Sequence, residues 1–106
     1  MSKYITMLEE MMSDTLLADG VPSQIKSIFI FGSSLYVKIP NDIDILIIYQ
    51  SLAIENNYNE ILDYRNLLAD KINYMTNLTS DIIILSEKEY FDTSYYKLSK
   101  KQIYPH

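Results

Sequence analysis

The chain has no cysteine and no tryptophan, two glycines and three prolines among 106 residues, and a single histidine, His106, at its last position. Disulfides and thiolate metal sites are thereby excluded, and without a well-placed imidazole zinc lacks its ordinary donor set. A divalent metal would have to sit on oxygen ligands, which suit magnesium, manganese or calcium. Long apolar runs are missing too: Ile45 to Tyr49 and Ile82 to Leu85 fall far short of the ~20 residues of a spanning helix. Met1-Ser2-Lys3-Tyr4 does not open a charged and then apolar secretory signal, so a cytoplasmic protein without a membrane role is the expectation. Basic charge is scarce, with nine Lys and Arg against fourteen Asp and Glu and a formal net charge of −5. A sequence-independent grip on nucleic acid needs a basic surface, which disfavours a nucleic-acid partner.

What is present is ordinary for a globular protein: 48% hydrophobic and 22% charged residues, with tyrosine over-used at ten. The length suits one domain, residues 1–106, with its own core. Residues 3 to 19 place Tyr4, Met7, Leu8, Met11, Met12 and Leu16 at three- and four-residue spacing, which predicts a helix stopped by Gly20. Its methionines suit packing against a sheet, and a partner-binding stripe is the other reading. Ile25 to Phe31 predicts a buried strand ended by Gly32. Ser33 to Ile39 has room for one helical turn, and Pro40-Asn41 breaks the chain before a second strand, Asp42 to Tyr49. The near-continuous apolar run of that strand implies cover on both faces and a central place in the sheet.

Asn57-Tyr58-Asn59-Glu60 has capping-box spacing, with Asn57 as N-cap of a helix that carries Ile61, Tyr64, Leu68, Ile72 and Met75 on one face and ends near Asn77. Thr79 to Leu85 predicts a third strand. Ser86-Glu87-Lys88-Glu89 is a cleaner capping box and opens a short helix at Glu87. The last stretch, with Tyr95, Tyr96, Leu98, Ile103 and Tyr104, predicts a little more helix and then a short extended segment. Helices alternating with strands define an α/β class, a small three- or four-stranded sheet covered by helices.

Two strand ends carry the candidate chemistry. Gly32 lets backbone approach a ligand closely, and the amides after it with the Ser33 hydroxyl can donate to phosphate oxygens, although a Gly-Ser turn after a strand is also commonplace. Asp42 and Asp44, two apart in a strand, project to one face about 6 to 7 Å from each other, while Ile43, Ile45 and Ile47 face the other way. Such a pair can hold one or two magnesium ions for in-line displacement at phosphorus, or mark a plain loop-to-strand junction. Asp81 heads a third apolar strand, and if that strand neighbours the second, a separation of about 4.8 Å lets Asp81 join the pair. A solvated strand start is the alternative for Asp81.

Phe31-Gly32-Ser33 followed by Asp42-Ile43-Asp44 resembles the signature of the nucleotidyltransferase superfamily typified by DNA polymerase beta. Ser80 to Tyr90 resembles its third strand and following helix, and the similarity to the stand-alone minimal nucleotidyltransferases covers most of the chain. The resemblance implies the nucleotidyltransferase fold, a small mixed three- to four-stranded sheet flanked by helices. It implies nucleotide contacts at Gly32, Ser33, Ser34 and Lys38, and metal ligation and catalysis by Asp42, Asp44 and Asp81. It implies Mg2+ as cofactor and transfer of a nucleoside monophosphate, most often AMP from ATP, to a hydroxyl. Many such proteins are antitoxins that AMPylate a HEPN toxin, and the acidic charge fits a protein acceptor better than tRNA. This chain departs from the pattern in the link between the two halves, which is shorter, with Leu35, Tyr36 and Val37 where an Arg and a Gly are usual. Two other functions stay open: a non-catalytic antitoxin that neutralises its partner by binding, and antibiotic nucleotidylation, for which so short a chain has room only if a homo-oligomer supplies the pocket.

Overall fold

The chain is seen in a computed structural model that describes residues 3–13, 20–38, 40–50 and 54–105, with 54–57 described by their backbone. Helix α1 (Lys3–Met12) buries Tyr4, Leu8, Met11 and Met12 of the expected stripe and also Ile5, which lies outside it, while Met7 is only partly covered. It stops at Met12, earlier than expected, and Ser13 closes it by donating from its amide to Glu10 O at 3.1 Å and from its hydroxyl to Glu9 O at 3.1 Å. The expected continuation through Leu16 lies outside the described residues.

Strand β1 (Ile25–Phe31) runs into a 3-10 turn (Gly32–Leu35), and β2 (Asp42–Tyr49), α2 (Ile54–Thr76) and β3 (Thr79–Ser86) follow. Helix α3 (Glu87–Asp92), a second 3-10 turn (Ser94–Lys97) and β4 (Lys100–Tyr104) complete the order. Asn57 is not the N-cap of α2. The helix already begins at Ile54, because nothing in Ile54-Glu55-Asn56 breaks it, and Asn57 falls inside its first turn. Its end is as expected: Asn77 takes a left-handed conformation with φ 58°, and its amide donates to Asn73 O at 2.9 Å.

The sheet order is β3-β2-β1-β4, with β1 antiparallel to both β2 and β4, and β2 parallel to β3. A parallel pair needs a crossover, and α2 provides it. On one face Ile28, Ile30, Ile43, Ile45 and Ile47 are fully buried against Leu8 and Met12 of α1 and Leu68 and Ile72 of α2. The Tyr64 hydroxyl reaches across this core to the Met12 sulfur at 3.7 Å. Burying each such aliphatic side chain contributes about 1.5 to 3 kcal/mol.

The opposite face holds Phe29 and Phe31 of β1 with Leu46 and Ile48 of β2. Here α3 and the turn after it supply aromatic cover: Tyr90 stacks on Phe29 with ring centroids 6.3 Å apart, and Tyr95 meets Phe31 edge-on at 6.1 Å. Strand β2 is therefore central and covered on both sides, as its apolar run predicts. The capping box that opens α3 is complete, with Glu89 N donating to Ser86 Oγ at 3.1 Å and Ser86 N to Glu89 Oε1 at 3.0 Å. Among the described residues no helix is long and apolar enough to cross a membrane.

Candidate functional site

The C-terminal end of β1 and the N-terminal ends of β2, β3 and β4 meet at one end of the sheet, because β1 runs antiparallel to β2 and β4 while β2 and β3 run together. Phe31 pairs with Asp44 on one side and Lys100 on the other, and Asp44 pairs with Asp81. Paired residues share a face, so Lys100, Phe31, Asp44 and Asp81 form a row across all four strands. Asp42 lies two residues earlier on the same face of β2, opposite Thr79. The expectation that β3 neighbours β2 and carries Asp81 to Asp44 is met.

Gly32 follows immediately, with φ +72°, a conformation that strains other residues. A side chain here would also collide with Asp44, whose carboxylate oxygen occupies the space a Cβ needs. Glycine is thus required twice over, and the turn backbone rests directly against the Asp44 carboxylate. Within the turn the Ser33 carbonyl accepts from Tyr36 N at 3.1 Å and from Val37 N at 2.7 Å, while Ser33 itself is exposed. Ser34 is fully buried, and its hydroxyl donates to Phe31 O at 2.9 Å, so this side chain is committed to holding the turn. Lys38 is exposed on the loop.

Electrostatics mark Asp44 in particular. Its carboxyl is held above the usual carboxylate range, first by burial, then by the negative charges of Asp42 and Asp81. The donor set is carboxylate oxygen alone, which fits a hard divalent cation. Among the described residues no three Asp, Glu, His or Cys side chains are drawn together in an arrangement that could hold a metal ion. Asp44 and Asp81 stand level on neighbouring strands and Asp42 flanks them, close enough to raise the Asp44 carboxyl.

Sequence reasoning missed the contribution of β4. Lys100 Nζ donates to Tyr96 O at 2.9 Å and Leu98 O at 3.2 Å and lies over the rings of Phe29 and Tyr90, 5.5 and 5.3 Å from their centroids. An extended segment near residue 103 is legible, but its pairing with β1, which brings Lys100 level with Phe31, is a long-range event without a local signal.

No protein-family model and no curated protein matches the chain in sequence. Solved structures do match in fold. A chain from a complex of tri-AMPylated Shewanella oneidensis HEPN toxin with MNT antitoxin is similar over 96% of this chain and 73% of its own, at 22% identity and a TM-score of 0.50. A chain of a mutant MntA–HpeT toxin–antitoxin structure is similar over 92% of this chain and 73% of its own, at 20% identity and a TM-score of 0.53. A chain of a toxin–antitoxin structure with AMP-PNP covers the same shares, at 23% identity and a TM-score of 0.51. The chain has the MNT-type nucleotidyltransferase fold that its Gly-Ser and Asp-x-Asp signature leads one to expect.

Proposed function

We propose that the chain is a magnesium-dependent nucleotidyltransferase that moves a nucleoside monophosphate, AMP from ATP foremost, to a hydroxyl of a partner protein, as the antitoxin of a pair with a HEPN-type toxin. The observation that carries this reading is the Gly32 backbone abutting the Asp44 carboxylate, with Asp81 level beside it on β3. Such a corner places amide donors for phosphate next to carboxylates for a cation. Support from outside the chain comes from neighbours of the same fold, one in complex with an AMPylated HEPN toxin and one solved with a nucleotide analogue.

In this reading Gly32 and Ser33 bind the triphosphate, and Asp42, Asp44 and Asp81 would hold Mg2+, which supplies positive charge to the phosphate oxygens. The acceptor oxygen bonds to the α-phosphorus, the bond from that phosphorus to the bridging oxygen breaks, and pyrophosphate leaves. Asp81 takes the proton of the acceptor hydroxyl. The Ser34 side chain has no part in this scheme, because it points into the turn.

The test is incubation with labelled ATP, magnesium and the candidate toxin. One acceptor should be labelled, and Asp44→Ala should lower labelling by more than about a hundredfold. Labelling that survives Asp42→Ala and Asp44→Ala together would sink the assignment. A second reading, neutralisation by binding alone, is favoured by the short, arginine-free loop after Gly32, with Leu35, Tyr36 and Val37 ahead of its one cation, Lys38. A variant lacking all three Asp side chains that neutralised the toxin as well as wild type would establish it.

A further inference from the structure

A nucleotide tail carries several negative charges, and the loop beside Gly32 offers it little: residues 33–41 contain one cation, Lys38, which is exposed. A chain of net charge −5 with three carboxylates at the site repels a polyanion unless a cation stands close by. Strand β4 brings two. Lys100 and Lys101 line a cleft of about 490 Å³ together with Ser99, Tyr36, Leu35 and Ile5. Beside it is a cleft of about 370 Å³ lined by Phe31, Gly32, Tyr36, Leu98 and Ser99. Tyr36 and Ser99 line both, so the two clefts adjoin around the end of the sheet, between Gly32 and the head of β4.

The two lysines are not equivalent. The ammonium of Lys100 is already engaged by the carbonyls of Tyr96 and Leu98 and by two aromatic rings. Lys101 points to the other side of the strand, and among the described residues its ammonium has no hydrogen bond or ion pair. Ile5 and Leu35 give the cleft an apolar lining beside the exposed Lys101. Resting on the nucleotidyl-transfer reading, the geometry points to Lys101 as the cation that receives the β- and γ-phosphates of the nucleoside triphosphate, with Ser99 and Tyr36 along the path. Negative charge grows on those phosphates as the bond to the α-phosphorus breaks, so a cation placed there aids departure of pyrophosphate as well as binding.

Calorimetric titration of the full chain with ATP, inorganic tripolyphosphate and AMP tests this without any acceptor. Lys101→Gln should weaken ATP and tripolyphosphate by about tenfold or more, as expected for one charge-assisted contact, and leave AMP within about twofold. Lys101→Arg should restore both, and Lys38→Gln should weaken both by less than Lys101→Gln does. Circular dichroism checks that each variant is folded. If Lys101→Gln binds tripolyphosphate and ATP as wild type does, or Lys38→Gln causes the larger loss, the role of Lys101 is overturned while nucleotidyl transfer stands. If wild type binds neither ATP nor tripolyphosphate, both fall together.

Discussion

Asp44 occupies an unfavourable place for a negative charge, half-buried between the Gly32 backbone and a second carboxylate at the same level of the sheet. Burial and the neighbouring Asp42 and Asp81 all push its carboxyl upward, so the folded protein holds that proton more tightly than the unfolded chain does. The sign follows. An ionised Asp44 costs stability in full above its raised folded value, and the cost disappears as pH falls below the ordinary carboxylate value. In chelator-treated buffer Asp44→Asn is therefore expected to be more stable than wild type at pH 7, with the difference shrinking as pH is lowered into the carboxylate range. Urea denaturation at several pH values checks this, and an Asn variant no more stable at pH 7 would count against it. The sequence shows Asp44 as a carboxylate between Ile43 and Ile45, in a strand whose apolar run implies cover on both faces. Its contact with Gly32 was not legible, since it depends on how β1 and β2 pair.

Among the elements, α3 shows how a local signal can suffice. Six residues long and with none of them fully buried, it has little packing of its own, so the cap at its start matters. Ser86→Ala removes the acceptor for Glu89 N, and a loss of about 1 kcal/mol is expected from the urea midpoint. A loss below about 0.3 kcal/mol would mean that ring contacts such as Tyr90 on Phe29 hold the helix unaided. Asn57-x-x-Glu60 has the same spacing as Ser86-x-x-Glu89, yet only the second caps a helix. Ser86 is the last residue of β3, where extended backbone gives way to helix, whereas Asn57 has helix on both sides. Spacing of three recurs within helices too, and only the preceding backbone tells the two cases apart.

For the molecule as a whole, the parallel β2–α2–β3 unit is the frame that sets Asp44 beside Asp81, and it depends on how α2 seats on the sheet. Leu68 is fully buried in that contact. Leu68→Ala is expected to cost about 2 to 5 kcal/mol, a large share of the about 5 to 15 kcal/mol typical of a whole domain, and thermal or urea unfolding measures it. Sequence alone determined the α/β class, the three strands at residues 25, 42 and 79, the central place of β2 and the residues of the carboxylate corner. These are set by hydrophobic period, by breakers such as Gly32 and Pro40, and by charges left at the head of apolar runs, all of which act over a few residues. Only the tertiary structure decided the strand directions, the row Lys100–Phe31–Asp44–Asp81, the inward turn of Ser34 and the cleft that reaches Lys101. Each depends on which strands pair and in what register, a choice made by contacts between residues far apart in the chain and written in no single stretch of it.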